Sequence, residues 1–320
     1  YLTGYGLTID DLKQFRQWRS RTPGHPEYGL TPGVETTTGP LGQGISNAVG
    51  MAIAERWLAE HFNRPGYNIV DHFTYVIASD GDMMEGVSGE ASSIAGHLGL
   101  SKLICIYDDN HITIEGCTDL AFSEDVCKRY EAYGWHTQRI DDDADLEELS
   151  NAIKNAQEEK NRPSLIAVRT HIGCGSPNKQ DTSQAHGEPL GEEEVKLTKK
   201  NLSWEIEEPF TVPEEVLNHF RKAESIGCEI ESEWNELFES YAEKYPDLAK
   251  EWHIFMNRQL PEDLKESLPV FSPQKPIATR QASGMVINAL ADKIHNLVGG
   301  SADLAPSTKT YMDKYASISK

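Results

Sequence analysis

Two apolar runs in this chain end in the same way. Residues 73–78 read Phe-Thr-Tyr-Val-Ile-Ala and stop at Ser79-Asp80-Gly81; residues 103–107 read Leu-Ile-Cys-Ile-Tyr and stop at Asp108-Asp109-Asn110. β-branched and aromatic content with polar residues at the C-terminal end predicts buried strands of a parallel sheet. Further strands are predicted over 136–139 and 164–169. Between and around them, helices are predicted over 42–60 and 85–98, both rich in small residues, and over 123–133 and 145–160. Such alternation predicts an α/β fold with a doubly wound parallel sheet.

Beyond Gly191 the pattern changes. Strands disappear and a polar, helical stretch follows, interrupted by Pro209, Pro213, Pro246, Pro261, Pro269, Pro273 and Pro276. A helix over 278–294 and a strand over 296–299 then open a fresh α/β pattern. The expected organisation is therefore a first α/β domain over 1–190, a helical connector over 191–276 lying on it, and the beginning of a second α/β domain over 277–320.

Composition narrows the function. Hydrophobic residues make up 38% of 320 positions, with no apolar run of membrane-spanning length, which predicts a soluble protein with room for more than one core. Acidic residues outnumber basic ones 51 to 30, for a formal charge of −21. That field opposes nucleic acid and anionic membranes, so neither is an expected partner. It would also repel a phosphorylated ligand unless a cation or local basic residues compensated. Much of the charge reads as solvated surface, including 141–143 and 192–194. The 5 cysteines show no metal-binding spacing, and their odd count fits a reducing compartment. The chain opens at Tyr1 without a basic, Leu-rich leader. A cytoplasmic location is expected, or a plastid one if a transit peptide precedes Tyr1.

In open α/β sheets, ligands bind at the carboxyl ends of the strands. Asp80 and Asn110 arriving there supply a carboxylate and an amide, hard oxygen ligands suited to a magnesium ion that keeps its other positions for phosphate and water. Gly81 lets a backbone N–H approach an anion closely. A metal-bound diphosphate site is one reading; Asp-Gly and Asp-Asp-Asn are also ordinary turn sequences.

Ser79-Asp80-Gly81 followed by Asn110 is similar to the thiamine-diphosphate signature, which normally opens with glycine; Ser79 is a departure, tolerable if its backbone dihedrals are ordinary. Upstream, Thr22-Pro23-Gly24-His25-Pro26-Glu27 and the run Gly33-Val34-Glu35-Thr36-Thr37-Thr38-Gly39-Pro40-Leu41-Gly42-Gln43-Gly44 resemble the diagnostic stretch of transketolases. Downstream, Gly175-Ser176-Pro177-Asn178-Lys179, Ala185-His186-Gly187, Ala278-Thr279-Arg280 and the run from Gly299 to Ser307 continue the resemblance in order, over essentially the whole chain.

The resemblance implies thiamine diphosphate and Mg²⁺, or Ca²⁺, as cofactors. Asp80 and Asn110 would bind the metal by side chain and Ile112 by its backbone carbonyl, and Gly81 would meet the diphosphate. Gly39, Pro40 and Leu41 would grip the aminopyrimidine, with Leu41 as an apolar strut. His25 and His186 would handle protons and sugar hydroxyls, His186 also beside the diphosphate. Arg280 and Ser307 would hold the sugar's terminal phosphate, and Asp303 would face the cofactor. The implied activity is transfer of a two-carbon ketol unit from a ketose phosphate to an aldose phosphate, by a homodimer whose active sites lie between subunits. The charge-poor small-residue runs 42–54 and 89–96 would serve that interface, or intrachain packing instead. The family's further histidines would precede Tyr1 and its cofactor-activating glutamate would follow Lys320, so the chain alone is expected to be inactive. Alternatives are a dihydroxyacetone synthase, which shares the cofactor motifs, and a non-catalytic transketolase-like module. Deoxyxylulose-phosphate synthase fits less well with the 24–27 and 39–44 stretches. Cys174 and the acidic run at Asp141 also depart from the family pattern.

Overall fold

The four expected strands pair into one parallel sheet. In the computed structural model, which describes residues 1–141 and 145–319, the helix α1 (Ile9–Lys13) precedes an alternation of α2 (Gln43–Phe62), β1 (Thr74–Ser79), α3 (Asp80–Met84), α4 (Gly86–Leu98), β2 (Leu103–Asp109), α5 (Val126–Ala132), β3 (His136–Ile140), α6 (Leu146–Glu158) and β4 (Ser164–Arg169). The strand order is β1-β2-β4-β3 and every pairing is parallel. Because side chains alternate across a strand, the sheet buries two different faces. Leu103, Cys105, Tyr107, Leu165 and Ala167 pack with residues of α2, α4 and α5. Ile104, Ile166 and Val168 pack with Ala152 and Ala156 of α6.

β4 occupies the span expected for it, and the neighbouring elements differ at their ends. α5 starts at Val126 rather than 123 because the Asp125 side chain accepts a hydrogen bond from the Lys128 N–H at 3.1 Å. Asp145 caps α6 in the same way through Glu148, at 2.8 Å. The helix α3 was not expected at all. Of the acidic run 141–143, Asp142 and Asp143 lie outside the described residues. The small-residue helices pack on other parts of the chain: a Cβ at Gly96 would stand 1.9 Å from the Tyr133 carbonyl oxygen, so α4 sits where only glycine fits.

After β4 come α7 (Glu192–Asn201), α8 (Glu214–Lys244), α9 (Pro246–Met256), α10 (Thr279–Ala291) and α11 (Ala305–Thr308). The chain divides into two compact units, Tyr1–Asn235 and Glu236–Ser319, with the division inside α8. In the first unit, Trp234 Nε1 of α8 donates to the Ile69 carbonyl at 3.0 Å. In the second, Phe238 and Tyr241 are buried, and Phe238 meets Trp252 and His253 of α9. Asn288 of α10 ties down the chain after α11, donating to the Tyr311 carbonyl and accepting from the Asp313 N–H, at 3.0 and 2.9 Å. The strand expected over 296–299 is not formed. A strand needs a ladder partner, and among the described residues the second unit contains no other strand. Among the described residues no helix is long and apolar enough to cross a membrane.

Candidate functional site

Parallel pairing places Ser79, the last residue of β1, opposite Asp108 near the end of β2. Asp80 follows Ser79 directly, and Asn110 follows Asp109, the last residue of β2, so both residues leave the sheet at its carboxyl end. Ser79 is extended, with φ −119 and ψ −179, a conformation that does not require the glycine usual in the signature. Its N–H donates to Asp82 Oδ2 at 3.0 Å, which nucleates α3 and turns the chain at Asp80.

Asp80 is 1% exposed. Its Oδ1 accepts from the Tyr107 hydroxyl at 2.6 Å and its Oδ2 from the His111 main-chain N–H at 2.9 Å. Burial pushes its carboxyl above the usual carboxylate range, with the Tyr107 hydrogen bond opposing and nearby Asp109 adding to the rise. Burial, and then the hydrogen bond to Asp80, push the Tyr107 phenol up, so it stays protonated and remains a donor. Buried Asn110 accepts from the Ile112 N–H at 2.9 Å, a short local bond that shapes the 110–112 turn.

The 39–42 turn reaches the same place. The Gly42 N–H donates to Asp82 Oδ1 at 2.8 Å, so Asp82 holds both this turn and the end of β1. Gly42 has φ +79, and a Cβ there would stand 2.7 Å from Ser88 Oγ; the turn can approach α4 only as glycine. A Cβ at Gly81 would stand 3.1 Å from Leu41 Cδ1, which puts the Leu41 side chain over Gly81. Leu41 is 54% exposed, an apolar group presented beside a buried carboxylate. The structure thus brings Leu41, Asp80, Gly81, Asn110 and Ile112 together.

The remaining candidates are placed differently. His186 is half-buried, and its shielded Nδ1 has no hydrogen-bond partner among the described residues. A buried nitrogen left unpaired is costly unless something else fills the position. The loop before it is clamped by buried Glu194 of α7, which accepts from the Ser176 hydroxyl and from the N–H and side-chain amide of Asn178, both of the latter at 2.9 Å. Hydrogen bonds from Asn178 and Ser176 hold the Glu194 carboxyl below its ordinary value. His25 is exposed. Arg280, in the first turn of α10, Asp303, with φ +52, and Ser307 of α11 belong to the second unit and are all exposed.

Among the described residues no group of three or more His, Cys, Asp or Glu side chains is gathered for a metal. The strand-end set is instead one carboxylate, one amide and a turn of peptide carbonyls. These donors fit a hard divalent cation bound partly by the protein and partly by phosphate oxygens. Sequence reasoning overlooked Asp82, Tyr107, Asp109, His111 and Glu194. The Ser79-x-x-Asp82 spacing was a capping signal that could have flagged Asp82.

Residues 1–261 match the family described as "Transketolase, thiamine diphosphate binding domain". The chain is 52% identical over its full length to a transketolase of Halalkalibacterium halodurans, covering 48% of that protein. It is 48% identical to a chloroplastic transketolase of Arabidopsis thaliana, again over its full length and over 44% of that protein. A solved transketolase of Pichia stipitis in complex with sedoheptulose 7-phosphate superposes with a TM-score of 0.93 at 45% identity, over 98% of this chain and 46% of that one. The chain spans about half the length of the curated relatives it matches.

Proposed function

Since this chain belongs to the transketolase family, we propose that it forms the diphosphate-binding part of an enzyme that moves a two-carbon ketol unit from a ketose phosphate to an aldose phosphate. One observation carries this reading: the Leu41 side chain lies over Gly81, beside a buried Asp80 whose two oxygens are already oriented. An apolar strut, a side-chain-free approach for an anion and a cation ligand thereby occupy one strand end.

In this reading Asp80, Asn110 and the Ile112 carbonyl would hold Mg²⁺ or Ca²⁺, and Gly81 would admit the diphosphate. In a chain of charge −21 the diphosphate needs that cation. Gly39, Pro40 and Leu41 orient the aminopyrimidine. Bound thiamine diphosphate supplies an electron sink for the carbanion left when a ketose carbon–carbon bond breaks. Half-buried His186 would hydrogen-bond a ligand and shuttle a proton, and exposed His25 would do the same toward the sugar. Arg280 and Ser307 take the sugar's terminal phosphate, and Asp303 faces the cofactor.

The proposed division is a diphosphate domain over 1–190, a connector over 191–276 and a pyrimidine domain opening at 277. The assembly is a homodimer with shared active sites. α2 and α4 bury Ile45, Ala48 and Ala95 within the chain and leave Met51 and Ile94 exposed, an apolar surface suited to a second copy. Five free cysteines support a reducing compartment, which we take as the cytoplasm. The test is an assay of the full-length protein with xylulose 5-phosphate as donor and ribose 5-phosphate as acceptor. Two-carbon transfer is expected; transfer to formaldehyde alone would assign the dihydroxyacetone synthase reading instead.

A further inference from the structure

The polar contacts around Asp80 close into a ring. Tyr107 and the His111 main chain each hold one Asp80 oxygen. The Tyr107 hydroxyl also lies 3.1 Å from Asp109 Oδ1, and the same Oδ1 lies 3.0 Å from His111 Nε2. Asp109 thus touches, through one oxygen, the side chains of both residues that orient Asp80. It is itself buried, and Arg139 Nη1 stands 3.3 Å from its other oxygen, a cation that compensates the second carboxylate.

Two features show that this arrangement is held against a cost. His111 has φ +64, a left-handed conformation unfavourable for a residue with a side chain, and this conformation goes with the N–H that meets Asp80. Tyr107 has one hydroxyl hydrogen for two carboxylates, with the shorter distance to Asp80. The terminal torsion of a carboxylate is otherwise broad, so donors on both oxygens are what fix its plane.

We propose that Asp109 is a positioning residue which, through Tyr107 and His111, presets the plane of the Asp80 carboxylate for the cation. The proposal rests on the reading of Asp80 as a metal ligand. It assigns a role to the second acid of the Asp108-Asp109-Asn110 run, a residue that does not itself bind the cofactor.

The test is titration calorimetry of the full-length protein with thiamine diphosphate and Mg²⁺, alongside thermal melting without either. Tyr107→Phe keeps the ring packing and removes only the hydroxyl; cofactor affinity is expected to fall about 10-fold or more, with the cofactor-free melting midpoint little changed. Asp109→Ala should lose a similar factor, and Asp109→Asn, which keeps an oxygen acceptor, should recover most of it. The double variant Tyr107→Phe/Asp109→Ala should bind little worse than either single one, since both break one ring. Wild-type affinity in Tyr107→Phe, or an Asp109→Asn as weak as Asp109→Ala, would overturn the proposal. Asp80→Ala separates the two levels. If it binds the cofactor normally, the metal-site reading falls and the positioning role with it; if it fails to bind while Tyr107→Phe binds normally, only the positioning role falls.

Discussion

Asp80 and Arg280 are both assigned to the handling of phosphate groups, one through a cation and the other directly, yet their surroundings are opposite. Asp80 is buried, with both oxygens engaged by donors from β2 and the turn after it. Arg280 is exposed and makes no side-chain hydrogen bond or ion pair among the described residues. Ser307 and Asp303 share its exposure. The strand end is therefore preorganised by the chain itself, and a ligand there meets groups whose ordering cost was met in folding. In the second unit these three residues are exposed, so a ligand must order them on arrival. Cofactor retention should depend on the first region and substrate affinity on the second.

That contrast sets the size of the expected effects. Asp80→Ala in the full-length protein removes the proposed charged ligand at the preorganised end. Cofactor affinity should drop by about 100-fold or more, read by calorimetry, and a change below about threefold would place the cofactor elsewhere. Arg280→Ala should raise KM for phosphorylated donors about 10-fold, with little change for unphosphorylated ones, because only the former lose an anion contact. Equal losses for both donor classes would make Arg280 structural.

The loop before His186 is the intermediate case, clamped by Glu194 but carrying a nitrogen without a partner. The Glu194 carboxyl is held below its ordinary value in the folded chain. Its contribution is thus present above the unfolded glutamate pKa and is lost as pH falls through the lowered folded value. The stability gap between wild type and Glu194→Gln, followed by thermal melting across pH, should be widest near neutrality and close in acid. A gap independent of pH would show that the clamp does not depend on the ionised carboxylate.

How much was legible in the sequence follows the same division. The pattern located the four strands of the first unit, but only β2 and β4 are buried on both faces; β1, expected to be buried, leaves Tyr75 and Ile77 exposed, and β3 is only partly covered. Helix ends shifted where single side chains, Asp125 and Asp145, cap the helix, since hydrophobic pattern carries no record of a cap. The helix α3 escaped notice because it is five residues long and its start is marked only by the Ser79–Asp82 capping contacts. The strand expected over 296–299 had the right residues and no partner. At the site, Asp80 and Asn110 were visible as strand-end polar residues; Leu41 was singled out only by resemblance, and its approach to Gly81 appears only in the structure. Asp109 was hidden by its neighbours: within Asp-Asp-Asn, nothing local distinguishes a buried hub from a solvated turn residue.

The central claim is that the strand end of the first unit binds a diphosphate through a cation held by Asp80 and Asn110. The most direct measurement is the affinity of the full-length, metal-stripped protein for thiamine diphosphate, by calorimetry, with saturating Mg²⁺ and then with EDTA. Binding should be tight with Mg²⁺ and weaker by about 100-fold or more with EDTA, the loss expected when two anionic groups face each other without the cation between them. Equal affinity under the two conditions would contradict the account.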